Sequence, residues 1–216
     1  MKLIAKITSW VFLPLLAPVY ALAIALYTEV LEKDITKSFA LYILNDEAKH
    51  ALLYLFFALS FIGPAIVLLL LLMRGSIKSL LLDDRNERIY PSIMVNLFAV
   101  FLIIILLKIV PAEFRGLPLL LALSVGSFVT VLTCTLLTIK WKVSLHAAGM
   151  GILTGFVFAY FLSMSYFPVW MVPLSFLLSG FVMSMRMYLE AHNLSQSLVG
   201  YGIGFFATFS AVFIIS

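Results

Sequence analysis

Apolar residues gather into seven stretches, at residues 7–30, 50–73, 91–110, 117–139, 143–164, 168–185 and 195–215, with short polar segments between them. A helix rises about 1.5 Å per residue and a bilayer hydrocarbon core is about 30 Å thick, so each stretch is long enough, or nearly so, to cross. The pattern predicts an all-α fold, a polytopic transmembrane bundle of six to seven membrane helices. The first stretch also resembles a secretory signal peptide, with Lys2 and Lys6 ahead of an apolar centre and the small residues of YALAIA behind it. Its apolar run exceeds the roughly 7–15 residues of a signal core and includes Trp10, Pro14, Pro18 and Tyr20, so an uncleaved membrane helix is expected.

Composition sharpens this picture. Of the 216 residues 64% are hydrophobic and 11% charged, and the mean hydropathy is +1.16. Seven spans use up a chain of this length, leaving one integral-membrane domain over 1–216 and no room for a soluble one. The formal net charge of +4 is spread over short loops, which argues against a nucleic-acid stripe and for anionic headgroups or a phosphate substrate. Cys134 is the single cysteine; it can form no internal disulfide, and zinc held through cysteines is excluded.

Seven crossings put the loops at 74–90, 140–142 and 186–194 on the same side as the amino terminus. These loops carry the densest polar residues: Arg74, Lys78, Asp83, Asp84, Arg85, Glu87 and Arg88; Lys140 and Lys142; Arg186, Glu190 and His192. Nine Lys and Arg residues fall on that side (Lys2, Lys6, Arg74, Lys78, Arg85, Arg88, Lys140, Lys142, Arg186) against five opposite (Lys33, Lys37, Lys49, Lys108, Arg115), the bias of cytoplasmic loops. Without the candidate site residues Arg85, Arg88, Lys142 and Arg186 the count is five against five, so orientation stays open.

Each loop has a chemical reading beside a plain one. In IKWKVSLHAAGMG, Ser144 can cap a new helix whose first-turn N–H groups face an anion, with His146 in that turn. The plain reading is a capped helix with Trp141 and Lys142 as interfacial anchors. Gly149, Gly151 and Gly155 read as close packing between helices. In the last loop Gln196 follows His192 by four residues, a spacing that lets its amide oxygen accept the imidazole N–H and fix the tautomer. An oriented imidazole with the Arg186 cation nearby suits nucleophilic attack on phosphorus; the plain alternative is an interfacial cluster holding the helix end. Arg85 and Arg88, three apart, can present two guanidinium forks to one phosphate, or simply sit in a solvated loop. Two histidines, three arginines and a lysine beside a helix N-terminus suit phosphoryl transfer through a phosphohistidine, one histidine attacking and the other protonating the leaving oxygen.

The order and spacing of these groups resemble the type-2 phosphatidate phosphatase superfamily, as a divergent bacterial member. That family's third motif is Ser-Arg, five residues, His, three residues, Asp; Arg186, His192 and Gln196 stand at those intervals, with Met185 in place of the serine. Its second motif, Pro-Ser-Gly-His, is matched by Val143, Ser144, Leu145 and His146, and its first, Lys, six residues, Arg-Pro, loosely by Arg85, Arg88 and Pro91. The likeness covers about residues 80–204. It implies His192 as nucleophile, His146 as general acid, and Arg186 and Ser144 as phosphate ligands. Gln196 departs from the family aspartate and removes the carboxylate that stabilises a developing imidazolium.

The leading expectation is therefore a metal-independent phosphatase of a membrane lipid phosphate or pyrophosphate, needing no cofactor and working without nucleic acid, in the bacterial inner membrane. The catalytic set is His192, His146 and Gln196; the substrate-binding set is Arg85, Arg88, Lys142, Ser144 and Arg186. A weak or inactive relative that binds or moves an anionic lipid is the alternative. A third class takes Asp83, Asp84 and Glu87 as magnesium ligands of a prenyltransferase, but the second aspartate-rich motif such an enzyme needs is not in the sequence.

Overall fold

A computed structural model describes residues 1–32, 40–79, 87 and 89–215. Among them, seven helical spans are long and apolar enough to cross a membrane. The protein is an all-α helical bundle with the architecture of an integral, multi-pass membrane protein. Much of its outer surface is apolar, as lipid requires: Leu69, Leu97, Phe101, Leu136, Leu177 and Phe206 all face outward.

The first span is two helices where one was expected. α1 (Lys2–Val11) stops ahead of Pro14, because Leu13, as the residue before a proline, is driven out of the helical region to ψ 138°. A single 3-10 turn, Pro14–Leu16, leads into α2 (Ala17–Tyr27). The second span also starts earlier than its apolar run. The side chain of Asn45 accepts the Ala48 N–H at 3.0 Å, and Asp46 and Glu47 occupy the first turn, where carboxylates suit the helix dipole. α3 (Asp46–Phe57) widens into a π turn, Ala58–Ile62, and continues as α4 (Gly63–Met73). The widened turn lies just ahead of Pro64, which has no N–H to return to the preceding turn.

The remaining spans are α5 (Ile89–Ile109), α6 (Leu117–Thr138), α7 (Leu145–Leu162), α8 (Met171–Tyr188) and α9 (Leu194–Ile215). α7 is the buried centre, packed against α9, α8, α2 and α6. Its contact with α9 is close enough to require glycine on both helices. A Cβ added at Gly151 would strike the Tyr201 carbonyl, one at Gly155 the Phe205 carbonyl, and one at Gly204 the Ala148 carbonyl. Gly126 on α6 sets the same condition against Thr208 of α9, with an added Cβ 2.7 Å from its Cα. Polar side chains within α6 are satisfied locally: Ser124, Ser127, Thr130, Thr135 and Thr138 each donate to the carbonyl four residues back at 2.7–2.9 Å. They add packing volume without asking for water.

At the end of the bundle away from the α6–α7 link, β1 (Leu31–Glu32) pairs antiparallel with β2 (Met164–Tyr166), tying the exit of α2 to the exit of α7. At the opposite end lie the start of α7, the end of α8 and the start of α9.

Two glycines on one helix separate packing from propensity. Nothing lies within 4 Å of a Cβ added at Gly202, whereas Gly204 faces backbone. In detergent, Gly204→Ala is expected to lower stability by about 1–3 kcal/mol, the usual cost of overpacking. Gly202→Ala is expected to be neutral or to stabilise by up to about 1 kcal/mol through helix propensity. Chemical unfolding of the two variants side by side checks this.

Candidate functional site

The last turn of α8 begins the site. Its C-terminus closes with the Ala191 N–H on the Arg186 carbonyl at 3.1 Å and the Glu190 N–H on the Met187 carbonyl at 2.9 Å. This is the Schellman arrangement. Glu190 takes the left-handed backbone, φ 56°, where glycine is usual. The reversal turns the chain so that Arg186, on the last turn of α8, and His192, just before α9, stand at the same end. Glu190 itself is exposed in the turn.

α9 then starts with a reciprocal cap. Asn193 Oδ1 accepts the Gln196 N–H at 2.9 Å, while Gln196 Oε1 accepts the Asn193 N–H at 3.3 Å. The same Gln196 Oε1 lies 3.1 Å from His192 Nδ1. Because a backbone N–H can only donate, the Gln196 atom that meets it is the oxygen, and His192 must donate Nδ1–H to that oxygen. The neutral imidazole therefore carries its lone pair on Nε2. The i, i+4 pairing expected from sequence is present, and the cap fixes its direction.

α7 begins in contact with this cap. Ser144 is the N-cap, its hydroxyl accepting the Ala147 N–H at 3.4 Å, and the Ser144 N–H donates to the Gln196 carbonyl at 3.2 Å. Gly200, one turn further along α9, leaves room for the Ser144 carbonyl. His146 follows in the first turn of α7, 9% exposed, with Nε2 3.1 Å from the carbonyl oxygen of Ser9. A carbonyl only accepts, so His146 carries its proton on Nε2. The two histidines are thus in opposite tautomers, one with a lone pair on Nε2 and the other with an N–H there.

Ser9 belongs to α1, and sequence reading did not single it out. Its hydroxyl accepts from Arg186 Nη1 at 3.0 Å and donates to the Ala5 carbonyl at 2.8 Å. The Ser9 carbonyl is available because α1 ends two residues later, leaving its last carbonyls outside the helical ladder and at the negative end of the helix dipole. Arg186 is 4% exposed, His192 7% and Ser9 4%, so the cluster is nearly sealed. The contacts to Ser9 span 137 and 177 residues of chain. The only sequence signal was a buried-type polar pair, Thr8–Ser9, in an apolar stretch.

The structure brings together five of the expected residues: Ser144, His146, Arg186, His192 and Gln196. Lys142 is half-buried two residues before Ser144. Arg85 and Arg88 lie outside the described residues, as do Asp83 and Asp84. Glu87 is described, and its carboxylate accepts the Lys78 N–H at 3.0 Å with the Lys78 Nζ 4.0 Å away. Among the described residues no three His, Cys, Asp or Glu side chains converge as metal ligands.

Beside the first turn of α7 an apolar pocket opens between α2, the π turn, α5 and α6, with Leu145, Ala148, Gly149, Pro14 and Leu15 in its wall. Its enclosed volume is about 80 Å³. The serines and threonines that reach it from α6 are bonded to their own helix, so the wall is apolar in effect.

No protein-family model, curated protein or solved structure matches this chain.

The tautomers are directly measurable. At a pH where the imidazoles are neutral, ¹⁵N spectra of the histidine-labelled protein are expected to show His192 with an unprotonated Nε2 and His146 with an unprotonated Nδ1. Gln196→Ala is expected to give His192 a mixture of both forms and leave the His146 signals in place.

Proposed function

We propose that this protein is a metal-independent phosphatase of a membrane lipid phosphate or pyrophosphate, a divergent relative of the type-2 phosphatidate phosphatases resident in the bacterial inner membrane. The observation that carries the reading is a histidine oriented by Gln196 at the same end of the bundle where His146 and the buried Arg186 meet on Ser9. His192 Nε2 attacks phosphorus as its P–O bond to the lipid breaks, and His146, entering the step as the imidazolium, passes its Nε2–H to the departing oxygen and is left as the neutral imidazole protonated on Nδ1. Water then attacks the phosphohistidine, giving its proton back to His146 and releasing phosphate from His192. Arg186 and the first-turn N–H groups of α7 face the charge on the phosphoryl oxygens. The apolar pocket beside α7 provides a place for hydrocarbon next to a polar head, which fits a lipid substrate.

Gln196 sets the expected rate. In the serine-protease triad an amide in place of the carboxylate costs about ten-thousandfold, chiefly through the wrong tautomer. Here the amide presents oxygen to His192, so the tautomer is right and only the electrostatic part of that loss applies. A neutral oxygen supports a developing imidazolium less than a carboxylate does, and this favours a slow enzyme. The same observation supports a second reading, a protein that binds or moves an anionic lipid with Gln196 serving only the cap of α9.

Phosphate release from phosphatidate, phosphatidylglycerol phosphate and undecaprenyl pyrophosphate, with EDTA present, separates the two. His192→Ala is expected to abolish release while the protein remains folded and extractable; normal turnover in that variant rules out the phosphohistidine. Gln196→Glu is the gain-of-function variant, since glutamate keeps the length that spans 3.1 Å to Nδ1 and also serves at this cap position. It is expected to raise kcat about tenfold or more, as an opposite charge favours the imidazolium by about 1–3 pK units. No release from any substrate by either protein favours the binding reading.

A further inference from the structure

The polar cluster already holds two oxygens. Arg186 donates to the Ser9 hydroxyl at 3.0 Å and His146 to the Ser9 carbonyl at 3.1 Å, both oxygens belonging to one residue near the end of α1. These are the cation and the N–H donor that the proposed function assigns to a phosphoryl group. The end of α1 suits the role physically. Its carbonyls carry the negative end of the helix dipole, and the chain breaks at Leu13, so no following N–H competes for the Ser9 carbonyl. α1 is joined to the rest of the bundle on one face only, where it packs on α8. Ala5, Thr8 and Ser9 form its inner face, while Leu3, Ile4, Ile7, Trp10 and Val11 are exposed and lipid-compatible. The extended Leu13 and the 3-10 turn at Pro14–Leu16 break the helix between α1 and α2, with the Tyr20 hydroxyl of α2 donating to the Val11 carbonyl at 2.7 Å as the tie that displacement has to release.

We infer that Ser9 is a further residue of the site, an internal stand-in for a tetrahedral oxyanion, and that a phosphate group binds by displacing the end of α1 from Arg186 and His146. This rests on the reading of the cluster as an anion site. Ser9 contributes one acceptor to the guanidinium and one to the imidazole before phosphate arrives, which lowers the cost of burying them. Binding a phosphate exchanges one set of acceptors for another, so Ser9 weakens apparent affinity by the strength of the contact it gives up. Removing the hydroxyl should tighten phosphate binding, the opposite of what loss of a substrate-binding side chain does.

The test uses the full chain in detergent and titrates inorganic phosphate, with Trp10 as reporter in a Trp141→Phe, Trp170→Phe background. Saturable change in Trp10 emission is expected, with Ser9→Ala binding about three- to tenfold tighter, the effect of one charge-assisted hydrogen bond partly replaced by solvent. A second readout needs no change of affinity: Ser9→Cys in a Cys134→Ala background should react slowly with a maleimide in phosphate-free buffer and faster with saturating phosphate. Equal or weaker binding by Ser9→Ala, with maleimide labelling of the Ser9→Cys variant unaffected by phosphate and Arg186→Ala abolishing binding, overturns the displacement and leaves the anion site standing. Absence of phosphate binding in both the parent and Ser9→Ala overturns the anion site itself. A dioctanoyl phosphatidate titrated in the same way identifies the source of the phosphate. Tighter binding than inorganic phosphate, with the same Trp10 change, assigns the displaced position to a lipid headgroup; equal affinity assigns it to the phosphate alone, and either supports displacement.

Discussion

The backbones of α7 and α9 touch, and most of the protein is arranged around that contact. Gly151 and Gly155 on one helix, and Gly200 and Gly204 on the other, let carbonyls of each approach the Cα atoms of its partner. Inside a bilayer apolar side chains gain little from leaving lipid, so association has to come from packing and short-range polar contacts, which small residues permit. One consequence is structural: α6 joins the pair through Gly126 and Thr208, and α8 joins it through the Thr154–Ser179 hydroxyl contact at 2.8 Å. The other is chemical. Helices this close begin side by side, which places the Ser144 N–H on the Gln196 carbonyl and so holds the start of α7 against the cap that orients His192.

A buried guanidinium is the main electrostatic demand on this arrangement. Arg186 is almost completely shielded, and a cation at that depth needs acceptors within reach. α1 supplies one of them, the Ser9 hydroxyl, and offers the Ser9 carbonyl to His146. Gln196 contributes on the other side of the cluster by orienting His192 without adding a charge. A carboxylate at that half-buried position would serve the imidazolium better but would add a second charge to be partly desolvated. The amide keeps the cap, the tautomer and the neutrality of that corner together.

The seven spans were legible because each depends only on a run of apolar residues matched to membrane thickness. The Ser144 cap and the His192–Gln196 pair were legible too, since both are set by spacings of three and four residues on one helix. The glycines were read correctly as packing positions, though the identity of the partner helix was not in the pattern. The break in the first span was missed despite its signal: Pro14 was treated as part of an apolar run, when its effect on Leu13 is to end α1. The early start of α3 was missed for the complementary reason, that Asn45 and the acidic first turn belong to the helix without being apolar.

Ser9 shows where sequence reasoning stops. Residue spacing within one helix fixes which side chains share a face, and hydropathy fixes which segments enter lipid; both are local properties, so the sequence alone determined the class, the spans, the caps and the local pairing of His192. Which end of which helix meets Arg186 depends on how the spans pack, and contacts across more than a hundred residues leave no periodic trace. Only the tertiary structure decided that the end of α1 lies on Arg186 and His146, because that position follows from the helix break at Leu13 combined with the close packing of α7 among its neighbours.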